Sequence, residues 1–104
     1  MKEFKGTPGP WFEHREGFST VYIESKLRDG VIQEVAACGP TEAGQEAQSA
    51  NAKLIAAAPE LLGALQDIVN LSQPFHSAIE IDHDYDGVAL YDNAVKAIAK
   101  ALGE

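Results

Sequence analysis

The sequence predicts an α+β fold, with an N-terminal antiparallel sheet of two or three strands packed by a proline-kinked helix and a C-terminal amphipathic helix. Residues 18–27 alternate at period two and lead into Asp29-Gly30, a pair typical of tight hairpin turns. Apolar residues then recur at helical spacing on both sides of Pro59, and again near the C-terminus. The length of 104 residues suits one domain, so we expect residues 1–104 to fold as a unit.

The sheet part is expected to cover residues 7–38. A two-residue type I′ turn at Asp29-Gly30 would need positive φ at both positions and would set the strand register. This register places apolar residues on one face in three pairs, Leu27 with Ile32, Ile23 with Ala36, and Val21 with Cys38. Cys38 is therefore predicted to be a small, buried hydrophobic side chain on the inner face. Residues 11–15 are predicted to add a third strand through Glu16-Gly17.

A rigid turn precedes the sheet. Pro8-Gly9 suits the centre of a type II turn, in which the glycine takes positive φ. This turn is expected to deliver Trp11 to the core, where a large aromatic side chain contributes much of the buried surface of a small domain.

A kinked helix is predicted over residues 41–71, capped by Thr41 and broken at Ala57-Ala58-Pro59. Pro59 would take the first position of the second segment, and both segments would face the same core. Small residues such as Ala50 and Ala52 fit either compact packing within one chain or a helix-mediated homodimer. The predicted apolar stripe comprises Ala47, Ala50, Leu54, Ala58, Leu61, Leu62, Leu65, Ile68 and Val69.

An acidic loop is predicted over residues 72–87, and a C-terminal helix over 88–103 ends at Gly103. Residues 75–87 alone are compatible with a short helix, a strand or an ordered loop. The segment 82–87 matches the first half of a calcium-binding loop, but its twelfth position is Asn93 instead of glutamate. We therefore expect a solvated acidic loop and no metal site.

Charge and hydropathy exclude several function classes. The chain carries −8 at neutral pH, which disfavours nucleic-acid binding because phosphate backbones require clustered lysine and arginine. No apolar run approaches the roughly 20 residues of a membrane-spanning helix, and the N-terminus does not resemble a signal peptide. The single cysteine, Cys38, fits a reducing cytoplasm.

The candidate ligand-binding residues are Trp11, His14, Arg15 and Arg28, from the half of the chain that is nearly neutral. Residues 1–39 carry five bases and six acids, whereas residues 40–104 carry three bases and ten acids. An aromatic ring can stack on a base and arginines bind phosphates, although these charges could equally balance nearby acids. No catalytic motif is recognisable, so we expect no catalytic residues and no cofactor.

Two segments carry a resemblance to a known group. The segments 7–11 (TPGPW) and 51–62 (NAKLIAAAPELL) resemble those of short uncharacterised bacteriophage and prophage proteins. This resemblance implies a phage origin and a setting in the host bacterial cytoplasm. The order of sheet and helices also resembles that of phage sponge proteins that sequester nucleotide-derived immune signals, such as the Thoeris antagonists.

Together these observations predict a non-catalytic phage accessory protein, a homo-oligomer, that binds a host-derived target. The target would be a small nucleotide-type ligand or a host protein, as expected of an anti-defence factor. A protein mimic would use an anionic face over residues 80–92, whereas a nucleotide sponge would use a pocket at Trp11 or Arg15. The alternatives are a small enzyme that degrades a nucleotide signal, and a structural virion component.

Overall fold

The computed structural model describes residues 3–17, 19–79 and 86–104, with side chains described outside 73–79 and 86–88. It is an α+β structure with a three-stranded antiparallel sheet followed by three helices. The chain forms two compact units, one of Gly6–Glu60 and one of Leu61–Glu104 with the start of the chain. The elements are β1 (Phe12–Glu16), β2 (Thr20–Arg28), β3 (Val31–Cys38), α1 (Gln45–Ala56), α2 (Ala58–Ile79) and α3 (Asp86–Leu102).

The sheet has the order β1-β2-β3, so the predicted third strand is confirmed. Helix α1 packs across all three strands and chiefly on β2. The core of this unit consists of Val21, Ile23 and Ala52, all nearly inaccessible to solvent. Cys38 lies on the inner face and packs against this core, as the sequence predicted, but it is only partly buried.

The hairpin between β2 and β3 follows the predicted register only at its open end. Val21 pairs with Cys38 and Ile23 with Ala36, as predicted, but the predicted pair of Leu27 with Ile32 is wrong. Lys26 faces Ile32 instead, and Leu27 is an extra residue between two paired positions. Leu27 is 44% and Ile32 54% exposed.

Two compensating bulges cause this difference. Leu27 is the extra residue on β2, and Val35 is the extra residue on β3, where Ala36 and Glu34 face Ile23 and Glu24. The predicted type I′ turn is also wrong, because Gly30 has a φ of 75° while no residue other than glycine has positive φ among those described. A turn with one residue of positive φ twists the chain differently from a type I′ turn, which has two. The bulge at Leu27 compensates for this difference in twist.

The turn before β1 is fixed by its contacts on both sides. The Ser25 hydroxyl, buried on the inner face of β2, donates a hydrogen bond of 2.8 Å to the Pro8 carbonyl. The Gly9-Pro10 peptide is cis and Gly9 does not have positive φ, so the predicted type II turn is wrong. Gly9 lies against Pro59, and a Cβ built on Gly9 would lie 2.7 Å from the Pro59 Cβ.

The helix start differs from the sequence prediction. Helix α1 begins at Gln45 after Gly44, and no side chain caps it. Thr41 instead accepts a hydrogen bond from the Ala43 amide through its hydroxyl, so it closes a turn before the helix. The predicted helix start at Thr41 was therefore early by about one turn.

The predicted break is confirmed at Ala57, and α2 begins at Ala58 with Pro59 as its second residue. The predicted apolar stripe is wrong in α1, where Ala52 is buried but Leu54 is exposed. Leu61 does not belong to the core of the sheet unit, so the expectation that both segments face one core is wrong.

The second unit contains most of α2 and all of α3, and it buries Val69 and Ile98. Helix α2 continues to Ile79, beyond its predicted end near Ser72, because the apolar repeat in the sequence continues past that point. Helix α3 ends as predicted at Gly103, which has a φ of 80°. The Glu104 amide donates to the Ala99 carbonyl in the arrangement of a Schellman motif.

No single helix among the described residues is long and apolar enough to cross a membrane. Helix α1 and the part of α2 up to Ser72 meet the length and hydropathy requirement only as a bent pair, which core helices also do.

Replacing Gly9 with alanine is expected to destabilise the fold by about 1–3 kcal/mol, because the new methyl group would overlap the Pro59 ring. Urea unfolding followed by circular dichroism measures this change. Gly39→Ala is the matched control, since its Cβ would meet nothing within 4 Å and its stability should stay equal or rise slightly. Equal stability of both variants would contradict the contact.

Candidate ligand-binding site

Gln48 joins the helix to the sheet through its side-chain amide. Its side chain is buried, with the residue only 1% exposed, and the amide nitrogen donates to the Ser19 carbonyl at 2.9 Å and the Cys38 carbonyl at 2.8 Å. The amide oxygen accepts a hydrogen bond of 3.3 Å from Arg15. Both N–H groups and the oxygen therefore have partners inside the protein, as a buried amide requires. The sequence pattern had placed Gln48 on the polar side of α1.

Arg15 lies on the inner face of the sheet, opposite Val21. Besides Gln48, its guanidinium donates to the Ser49 hydroxyl at 2.9 Å. Two side chains of α1 thus hold this predicted ligand-binding residue. These two hydrogen bonds give Arg15 a structural role, in which it links β1 to α1.

Trp11 also contributes to the structure of the sheet unit. Its indole N–H donates to the Thr7 carbonyl at 3.0 Å, and its ring packs against the core. The sequence predicted this docking. Trp11 lies just before the start of β1 and Arg15 lies near the end of this strand, so most of the strand's length separates them.

His14 lies on the outer face of the sheet, the side away from α1, because it pairs with Tyr22. Its Nε2 lies 2.9 Å from a Glu16 carboxylate oxygen, and its Nδ1 lies 4.0 Å from Glu24. Two carboxylates therefore surround this imidazole, which makes it a poor group for binding an anion.

Arg28 lies at the far end of β2, beside the hairpin turn. It lines a cavity of about 420 Å³ together with Lys26, Asp29, Gly30, Val31 and Ile32. Seven residues separate it from Val21, the partner of Arg15, which corresponds to roughly 20 Å along a strand. The four predicted residues therefore do not converge, and Arg28 lies beside this cavity.

A second cavity of about 250 Å³ shares the lining residue Lys26 with the first. It is lined by Pro10, Phe12 and Lys26, and the Lys26 ammonium lies 6.0 Å from the centre of the Phe12 ring. This distance is at the limit of a cation–π contact. Lys26 is thus the one residue that borders both cavities.

Pro10, Phe12 and Lys26, together with Arg28 at the hairpin end of the sheet, line these two cavities, and we call the four residues the outer-face site. It offers an apolar ring for stacking and two cations that donate hydrogen bonds to anionic oxygens, with the Asp29 carboxylate at its edge. Phe12 and Lys26 were not among the residues predicted from the sequence. The pairing of β1 with β2 explains their contact, because Phe12 lies opposite Glu24 and therefore diagonally next to Lys26 on the same face.

No group of three or more histidine, cysteine, aspartate or glutamate side chains could hold a metal ion in the part of the chain that the structure describes. The half calcium motif at 82–87 falls mainly on residues 80–85, which lie outside the described ranges. The proposed anionic face at 80–92 lies partly outside them as well.

These features define a small α+β protein with a mixed aromatic and cationic concave surface on its sheet. The whole chain, residues 1–104, matches the family described as Salmonella phage P22 protein Y8K6. The chain belongs to this family, so it is a short phage protein. No curated protein and no solved structure matches it.

Replacing Gln48 with methionine keeps the side-chain volume but removes the amide. The Ser19 and Cys38 carbonyls would lose their donor, and Arg15 would lose an acceptor. We expect a loss of about 1–3 kcal/mol in the free energy of unfolding, measured by urea titration. Gln45→Met, at the exposed first residue of α1, should change stability by less than about 0.5 kcal/mol. A loss of equal size in both variants would rule out the role of the amide.

Proposed function

We propose that this phage protein is a non-catalytic accessory factor that captures an anionic, nucleotide-type ligand at the outer-face site. Lys26, which borders both cavities, is the observation that carries the proposal. A base would stack on Phe12 while Lys26 and Arg28 bind phosphate oxygens. Sequestering such a ligand in the host cytoplasm would act against a defence that signals through nucleotides.

The charge distribution of the chain supports this choice of ligand and surface. A protein of net charge −8 repels anions in general, so an anionic ligand needs a locally cationic surface. Within the described sheet unit, Lys26 and Arg28 lie two residues apart at the exposed end of β2. The other arginine of the sheet, Arg15, is already bonded to α1.

The lining residues of both cavities supply binding groups. Ammonium, guanidinium and backbone groups hold an anion without forming a covalent bond to it. The proposal therefore differs from an enzyme that degrades a nucleotide signal, because the captured ligand would remain intact.

A basic host protein is the second candidate for the target. The observation that favours it is the charge of residues 40–104, which carry ten acids and three bases. Such a partner would bind by charge complementarity, and its affinity would fall steeply as salt increases. It would not depend on Lys26.

Lys26→Ala and Arg28→Ala are expected to weaken binding of the best ligand about 10- to 100-fold each, because each removes a charge-assisted hydrogen bond. Isothermal titration calorimetry with a set of ADP-ribose, cyclic dinucleotides and ATP provides the measurement. Lys53→Ala on α1 removes the same charge at an exposed position and should leave affinity unchanged.

Arg15→Ala separates the outer-face site from the site predicted on the sequence. It should lower stability through its lost contacts with α1 while the folded protein keeps its affinity. No binding by any of the tested nucleotides, or equal affinity of the Lys26 and Lys53 variants, would rule out the proposal. Mass spectrometry of ligand released by denaturation should recover it unchanged, whereas a degraded ligand would indicate an enzyme.

A further inference from the structure

Helix α2 carries a row of apolar side chains that its own unit leaves uncovered. Leu61 is 53%, Ile68 59% and Leu71 82% exposed, and Ala64 between them is exposed as well. We call these four residues the α2 stripe. Single exposed apolar residues are ordinary, but a continuous row on one helix marks an interaction surface.

Helix α2 packs within its own unit through residues other than those of the α2 stripe. Val69 is buried, and Leu62 and Leu65 are partly buried. These three residues lie on an adjacent face of the helix. The α2 stripe is therefore additional to the face that stabilises the unit.

The spacing of the α2 stripe indicates that its binding partner is another helix. The positions 61, 64, 68 and 71 are separated by three, four and three residues. This is the a/d spacing with which one helix packs its side chains between those of another helix. Large residues at 61, 68 and 71 with the small Ala64 between them let two helices approach closely.

We propose that the α2 stripe pairs with the α2 stripe of a second copy of this chain, which makes the protein a homodimer. A surface whose a and d positions are both apolar is complementary to itself, so a second copy satisfies it without any other partner. The pairing would cover apolar residues of α2 that are exposed in the single chain.

The exposed area is compatible with a weak, reversible dimer. Three large side chains exposed by more than half present roughly 300 Å² of apolar surface per chain. Two copies would bury about 600 Å² of it, and with the flanking polar surface the interface reaches about 1,000–1,200 Å², the lower limit of specific interfaces.

The charges beside the stripe give the dimer a distinctive salt dependence. Glu60 and Asp67 flank the α2 stripe, and each copy carries a net charge of −8. Two such chains repel each other at low ionic strength, so salt should strengthen the dimer by screening. A basic partner on the same stripe would respond in the opposite direction.

Sedimentation velocity of the full chain over a wide concentration range tests the proposal. We expect a monomer–dimer equilibrium that shifts towards dimer as sodium chloride increases. Ile68→Glu should weaken dimerisation at least about 100-fold, because pairing would bury a carboxylate. Asn70→Glu is the matched control, since Asn70 is exposed on the same helix but outside the stripe, and its effect should stay below about threefold.

Circular dichroism checks that both variants keep the helicity of the unmodified protein, and that all three proteins share one unfolding temperature at concentrations low enough for each to be a monomer, which is expected because both positions are exposed in the single chain. Disulfide cross-linking supplies a second measurement in a Cys38→Ser background. Ile68→Cys or Leu71→Cys should cross-link two chains under mild oxidation, and Asn70→Cys should not. A monomer at every concentration, a larger oligomer, or equal effects at positions 68 and 70 would overturn the proposal.

Discussion

The buried amide of Gln48 is the constraint on which the sheet unit depends. A core of Val21, Ile23 and Ala52 is small, and apolar packing alone allows a short helix to slide along a sheet. The Gln48 amide restricts α1 to one position along the sheet, because its two N–H groups must bond the carbonyls of Ser19 and Cys38 at the same time. Hydrogen bonds of this kind select among packings of similar apolar area, since any other position leaves buried polar atoms without partners.

This constraint also decides which side of the sheet is open for binding. The inner face is occupied by α1, and the sheet's one inward-pointing arginine, Arg15, is bonded to α1. The outer face keeps Lys26 exposed and its Phe12 ring partly exposed. One guanidinium thus strengthens the scaffold, and the other, Arg28, lies beside a cavity.

Local sequence patterns predicted the strands, the helix break and the Gly103 end, because each depends on residues close together in the chain. The face of α1 was predicted wrongly, since periodicity treats Gln48 as a solvent-facing residue. Its partners come from two other elements and meet it only in the folded chain. The spacing of the candidate site residues could not be predicted for a similar reason. Charge pointed to Arg15 and Arg28, but the strand register separates them, and the same register brings Phe12 and Lys26 together.

The two bulges of the hairpin have an implication for length changes in this chain. Leu27 adds a residue to β2 and Val35 adds one to β3, so the offset introduced near the turn is cancelled before the open end. Losing either residue alone would displace one end of the ladder and reverse the side-chain orientation there. Losing both would leave a regular ladder with both ends in place. Insertions and deletions in this hairpin are therefore tolerable as pairs, one on each strand.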